Sequence, residues 1–354
     1  MAARPPAAHN IPTLNRKIIM TSIAFYHTLP EEQPFAEQWA EQHHVDVTCF
    51  PFELTDETLH TVKGFDGISY KQRFRPSNDP DFYRRLHDEY GIRQIALRSA
   101  GIDSIDVKAA HEHGIRITNV PSYSPSAVAQ LALTHILQLL RHVPQYHERN
   151  AHQDFAATGL MSRELGELTV GIIGVGRIGS TLARMLHALG VTVLGNDIRE
   201  RDDLDGIVTY TSKDDLLARA DVVSMHTYLD ETTYHLMDAH RFAQMKPTAI
   251  FINASRGPIV DTQALIDALQ RHEIAAAGLD VIEGEATLFG HTLKPGEPTG
   301  NPAYDTLAAM PNVAITPHIA FFTDIAVRNM AQQSLNDALT IIQGGTSEHE
   351  IHLD

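Results

Sequence analysis

The stretch L-T-V-G-I-I-G-V-G-R-I-G, Leu168 to Gly179, decides the fold. It reads as an apolar strand that breaks at Gly174 and continues through Gly176 and Gly179 into a helix-forming run. A second strand pattern, V-T-V-L-G-N-D, then ends on an acid, Asp197. A glycine triplet alone says little. Strand, triplet, helix, strand and acid in that order form the fingerprint of a dinucleotide site. Gly174 permits a tight turn, Gly176 lets backbone approach a pyrophosphate, and Gly179 lets the helix pack on the strand. Arg177 and Ile178 open that helix, whose N-terminus faces the phosphates. A carboxylate at Asp197 accepts hydrogen bonds from ribose hydroxyls and repels a 2′-phosphate, which selects NAD over NADP.

The fingerprint starts near the middle of a 354-residue chain, so a second domain must be built from what precedes it. That part alternates strand and helix. Strands are expected at 17–26, 45–50, 67–70 and 94–97, with a helix at 34–43. Alternation of this kind gives a parallel sheet covered on both faces. Ser124 and Pro125 then cap and open a long helix whose apolar residues run almost all the way round, so it must be buried. Its expected place is as the bridge between domains. Further strands are expected at 191–194, 221–225, 248–253, 276–281 and 313–316. The amphipathic run 324–342 is expected to return to the first domain, because the nucleotide domain already has its helices.

The expected fold is therefore α/β, with two Rossmann-like doubly wound parallel-sheet domains and an active-site cleft between them. Residues 1–16 read as a flexible extension. Residues 17–123 and 322–354 would form the substrate domain, and 124–321 the nucleotide domain. A net charge of -16 with no Lys/Arg block argues against nucleic acid or an anionic membrane as partner. The apolar runs are too short to span a bilayer, and the start lacks a signal-peptide core. Cys49 is the one cysteine, which forbids an internal disulfide and fits a reducing cytoplasm. No metal is expected.

In open α/β sheets, ligands bind beyond the carboxyl ends of strands. Just past the strand ending at Asn253 stands Arg256. Past the strand ending at Val281 stand Glu283 and Glu285, and past the one ending at Thr316 stands His318. A cation, a carboxylate and an imidazole would thus gather on one side. Arginine can hold a carboxylate and polarise the carbonyl beside it, and histidine can give that carbonyl oxygen a proton. A carboxylate beside the histidine favours the imidazolium. Either glutamate could serve. The set suits hydride transfer to a 2-keto acid.

The segments N-A-S-R-G-P-I-V-D, G-L-D-V-I-E-G-E and P-N-V-A-I-T-P-H-I-A-F-F-T together resemble the D-2-hydroxyacid dehydrogenase family, most of all its fermentative D-lactate dehydrogenases. The resemblance implies Arg256 as the carboxylate-binding residue, Glu285 as the partner of the histidine, and His318 as acid and base. It implies Asp280 at the nicotinamide carboxamide, with His226, Thr227 and Ala254 along the cofactor. The segment L-R-S-A-G-I-D resembles the family loop whose N–H groups hold the substrate carboxylate, here Ala100 and Gly101. Tyr70, Tyr123 and Phe321 are expected to wall a small apolar pocket such as the pyruvate methyl requires. The resemblance implies a homodimer that reduces pyruvate to D-lactate with NADH. A broader 2-keto acid reductase of the 2-ketoisocaproate type and an NAD-sensing binding protein are the alternatives. Two positions depart from the family pattern: Tyr228, where many relatives have proline, and Gln130, where many have glutamate.

Overall fold

The structure is a computed structural model describing residues 20–71, 75–79 and 81–353. The extension 1–16 and the first residues of the strand expected from 17 lie outside the described residues. Five strands, β1 (Ser22–Tyr26), β2 (Asp46–Cys49), β3 (Gly67–Tyr70), β4 (Gln94–Leu97) and β5 (Arg116–Thr118), form a sheet in the order β2-β1-β3-β4-β5. Seven more form a second sheet: β6 (Thr169–Ile173), β7 (Thr192–Asn196), β8 (Val208–Tyr210), β9 (Val222–Met225), β10 (Ile250–Asn253), β11 (Ala276–Leu279) and β12 (Val313–Ile315). Its order is β12-β11-β10-β9-β6-β7-β8. Every strand pair in both sheets is parallel. Parallel strands are covered on both faces, which is why β3, β4, β9, β10 and β11 are buried along their whole length.

Strand alternation sends Tyr26, Ile68, Tyr70 and Leu97 to one face of the first sheet, against Leu54, Leu59 and Phe82. Ile23, Phe25 and Ala96 point to the other, against Trp39 and the last helix, Asp324–Ile342. That helix returns to the first sheet as expected. Trp39 Nε1 donates to Asn336 Oδ1 at 2.7 Å, and Ser69 Oγ donates to Ser334 Oγ at 3.0 Å. The tail follows, with Arg116 Nε donating to Glu350 Oε1 at 2.6 Å.

The long helix Pro125–Leu140 begins at the expected cap, Ser124. It is not a bridge between the domains but a layer of the second one. Ala129, Ala132 and Ile136 pack against Ile172, Ile250 and Ile252, beside the helix Arg177–Ala188. Small residues let it approach the sheet closely, and the apolar surround reflects burial against both sheet and helix.

Strand order reverses between β1 and β3 in the first sheet and between β6 and β9 in the second. Such switch points open crevices at the carboxyl ends. The two sets of carboxyl ends meet. Arg256, after β10, reaches Asp103 in the loop after β4, and Lys71, after β3, reaches Phe321.

Asp221, just before β9, ties this sheet together. Its carboxylate accepts from the Thr169 N–H (2.9 Å), Arg163 (2.9 Å) and Lys246 (3.1 Å). Burial alone would raise its pKa, but these bonds override that and hold it below the usual carboxylate value. A depressed folded pKa contributes stability that is complete above about pH 4 and lost as pH falls through the folded value. Asp221→Asn should therefore cost on the order of 1–3 kcal/mol in urea unfolding at neutral pH. The difference from the parent should shrink as pH falls below about 4. A difference that stays constant down to acid would show that the charge contributes nothing.

Candidate active site

Each side chain at the strand ends is set by a backbone lock. Beyond β10, Asn253 is almost fully buried and works in both directions. Its Oδ1 accepts the Ser255 N–H at 3.1 Å, and its Nδ2 donates to the Arg256 carbonyl at 2.9 Å. Arg256 is thereby aimed into the cleft. Its Nε donates to Asp103 at 2.9 Å across the domains, and its Nη1 donates to the Ser255 carbonyl at 2.8 Å. Nη2 lies against Gly101: a Cβ there would stand 1.9 Å from it, so only glycine leaves the room. Among the described residues, the N–H groups of Ala100 and Gly101 donate to no protein acceptor. Two N–H groups and a guanidinium edge thus face one spot, an arrangement that suits a carboxylate.

Beyond β11 the two glutamates separate. Glu283 accepts from the Thr262 N–H (3.1 Å) and hydroxyl (2.7 Å) and lies 2.8 Å from His235. Glu285 accepts the Ile282 N–H at 2.8 Å and lies 2.5 Å from His318 Nδ1. A carboxylate can only accept, so Nδ1 carries the hydrogen and Nε2 is the atom turned to chemistry. His318 itself has a φ of 55°, in the left-handed region. Its N–H donates to the Asp280 carbonyl at 2.8 Å. The Asp280 side chain accepts from the Ile319 N–H (2.9 Å), the Ala320 N–H (3.0 Å) and the Thr316 hydroxyl (2.6 Å). Behind Thr316 stands His135, fully buried, its Nε2 3.1 Å from that hydroxyl and its Nδ1 2.7 Å from Gln138 Nε2. Burial lowers the His135 pKa, so it is a neutral strut of this network. Nothing in the sequence pattern marked His135 or Asp103 for these places.

At the second switch point Gly174 has a φ of 92°, and a Cβ on it would stand 2.6 Å from the His226 carbonyl carbon. Gly179 packs beneath the Gly174 carbonyl in the same way, whereas the space over Gly176 is open. Gly176 caps the helix Arg177–Ala188 with no side-chain hydrogen bond. Asp197 accepts from the Val175 N–H (2.6 Å) and the Arg199 N–H (3.0 Å), which fixes the carboxylate at the rim. Thr227 Oγ1 and His226 Nδ1 are buried with no hydrogen-bond partner. Burial pushes the His226 pKa down to about 4, so the ring is neutral.

Residues 133–320 match the family described as D-isomer specific 2-hydroxyacid dehydrogenase, NAD binding domain. The chain belongs to the D-2-hydroxyacid dehydrogenase family. A D-2-hydroxyacid dehydrogenase (NAD(+)) of Clostridioides difficile is 38% identical over 91% of this chain and 97% of its own length. Among solved structures, a D-lactate dehydrogenase from Sporolactobacillus is 47% identical with a TM-score of 0.80, covering 94% of this chain and 99% of that one. A D-isomer specific 2-hydroxyacid dehydrogenase from Lactobacillus delbrueckii ssp. bulgaricus, solved with NAD, is 39% identical with a TM-score of 0.82, covering 94% and 100%.

NAD is the cofactor of this dehydrogenase, and the residues fit it. The open space over Gly176 and the uncapped helix N-terminus suit a pyrophosphate. The orphaned Thr227 hydroxyl and His226 nitrogen suit polar groups of a ligand. Arg177 is exposed at the same helix start, with Ile178 half-buried beside it, and Ala254 is buried just past β10. Tyr228 is exposed, so the missing proline costs no packing. Gln130 is also exposed and donates to Ser126, and nothing in the structure explains the change.

Tyr123 and Phe321 pack against the same apolar cluster of Val120, Val327 and Met330, and burial pushes the Tyr123 pKa up. The expectation for Tyr70 is corrected. Its ring has no exposed surface, and its hydroxyl donates to the Ser104 carbonyl at 3.1 Å inside the first domain. Successive strand residues point to opposite faces, and the neighbour Lys71 is the one that reaches Phe321.

Tyr70→Leu should cost about 2–3 kcal/mol in denaturant unfolding, through a cavity and a lost hydrogen bond. It should leave the ratio of kcat/KM for 2-ketoisocaproate and pyruvate unchanged, and a ratio shifted toward the larger acid would put Tyr70 back on the pocket wall. Asp197→Ser should narrow the preference for NADH over NADPH about 10- to 100-fold by removing the charge that opposes a 2′-phosphate. Steady-state kinetics with both cofactors measures it, and an undiminished preference would assign the selection elsewhere.

Proposed function

We propose that this enzyme is an NAD-dependent D-lactate dehydrogenase that reduces pyruvate, with 17–123 and 322–354 as its substrate domain and 124–321 as its nucleotide domain. The observation that carries the reading is the His318–Glu285 pair at 2.5 Å, in a cleft that also holds Arg256 against the Ala100–Gly101 loop. NADH, when bound, supplies the hydride that C2 of the keto acid takes. Every other task belongs to the chain. Arg256 and the N–H groups of Ala100 and Gly101 hold the substrate carboxylate. Asp103 and the Ser255 carbonyl occupy Nε and Nη1, so the guanidinium presents Nη2. His318 Nε2 gives its proton to the carbonyl oxygen, and Glu285 stabilises the imidazolium before that transfer. Asp280 fixes the loop on which His318 stands. The Asp103–Arg256 bridge spans the cleft between the domains, and closure over the substrate excludes water. Tyr123 and Phe321 wall the side-chain end of the pocket.

No helix among the described residues is long and apolar enough to cross a membrane. The single cysteine supports a cytoplasmic enzyme. The reading includes a homodimer, supported by Phe155, Met161 and Leu137, which expose apolar surface on and beyond the long helix.

Oxidation of NADH at 340 nm with pyruvate tests the reading, with 2-ketoisocaproate and NADPH as comparisons and product chirality as the second check. Turnover should favour pyruvate and NADH and yield the D isomer. Arg256→Lys, which keeps the charge but loses the fork, should lower kcat/KM about 10²-fold or more. Turnover with the branched acid alone would move the substrate, and NADH binding without any turnover would point to a sensor.

A further inference from the structure

Between the carboxyl ends of β1 and β3, at the switch point of the first sheet, lies a buried ionic cluster that chemistry at C2 does not require. Glu32 and Arg98 have no exposed surface. Arg98 stacks on Phe25 at 3.6 Å, and its Nη2 donates to the carbonyls of Tyr26 (2.7 Å) and His27 (3.1 Å). Its Nε lies 3.6 Å from Glu32 Oε1, and Lys71 Nζ donates to the same oxygen at 3.0 Å. Burial alone would raise the Glu32 pKa, but Arg98 and Lys71 hold it down, and the group stays a carboxylate.

A buried cluster of this kind does little for stability, because desolvation offsets the attraction. What it provides is placement. Lys71 is held at the end of β3 with its ammonium 4.7 Å from the centre of the Phe321 ring. Phe321 and Tyr123 both pack against Val120, Val327 and Met330. Lys71 therefore faces a ring that stands three residues past His318, at the side-chain end of the proposed pocket. Rings alone would suit a methyl group. The cation at the far end suits an anion.

Building on the proposed reaction, we propose that Lys71 determines specificity, and that the site takes short 2-keto acids carrying a second carboxylate on C3 as well as pyruvate. The bonds made and broken are those of the same reduction, with hydride to C2 and a proton from His318 to the oxygen. The first carboxylate sits at Arg256. The second accepts a charge-assisted hydrogen bond from Lys71. Glu32 keeps Arg98 while Lys71 turns to the substrate.

The test uses the full-length protein with NADH, and compares kcat/KM for oxaloacetate and pyruvate. Lys71→Met should lower the oxaloacetate-to-pyruvate ratio at least about tenfold, the scale expected when a polar site loses its partner. Lys71→Arg should keep the ratio within about threefold of the parent, since the charge remains. The parent's ratio should also fall as potassium chloride is raised from roughly 20 to 500 mM, because salt screens the pair. This last measurement decides the matter if the methionine variant does not fold. An unmoved ratio in a folded Lys71→Met, a ratio indifferent to salt, or pyruvate turnover with none of oxaloacetate would each overturn the role of Lys71 alone. Absence of turnover with every keto acid would overturn the proposed reaction, and this inference with it.

Discussion

One buried carboxylate, Asp280, holds the catalytic end of the molecule in place. It gathers two backbone N–H groups and a hydroxyl from the segment after β12, while its own carbonyl takes the N–H of His318. A histidine in the left-handed region is uncommon and costs energy, and persists where the surroundings over-determine it. Here the surroundings are those four bonds, with His135 braced behind them from the long helix. The same carboxylate links β11, the turn after β12 and the helix Pro125–Leu140. The orientation of His318 is therefore a property of the nucleotide domain as a whole, not of its own loop.

The other functional groups follow this rule. Asn253 locks the turn that carries Arg256, and Glu283 locks the start of the helix Thr262–Gln270. Reaction groups sit on short turns held by buried polar side chains, and the sheets beneath are apolar. Ion pairs between and within the domains differ in kind. Asp103–Arg256 joins the two domains, is half-exposed and is open to salt. Within the first domain, by contrast, Glu32 and Arg98 are fully buried and stay paired.

Much of this was legible in the sequence because the signals are local. The glycine fingerprint, the cap at Ser124 and the amphipathic run 324–342 each depend on residues within a few positions. The strands β5 and β8 escaped notice: they are three residues each and include Arg116, Thr118 and Thr209, so they lack the apolar run that marks the equally short β12. Tyr70 and Lys71 illustrate a sharper limit. Adjacent residues at a strand end differ only in which face they take, and a shift of one exchanges core for cleft. Glu283 and Glu285 could not be separated by spacing alone, since their fates are set by His235 and His318, distant in the chain. Asp103 and His135 carried no signal, because their partners come from the other domain or from a layer reached only after folding.

The placement of the last helix has a consequence for synthesis. One face of the first sheet is closed by Ala331, Leu335 and Ala338, and Trp39 finds its hydrogen-bond partner at Asn336. The nucleotide sheet, in contrast, is built from one continuous stretch of chain. A polypeptide emerging from the ribosome folds its complete units as they appear. The middle of this chain can therefore be finished while its beginning still waits. Ile23, Phe25 and Trp39 precede that unit in the chain yet are sealed after it, and must be shielded by other means until the helix Asp324–Ile342 arrives.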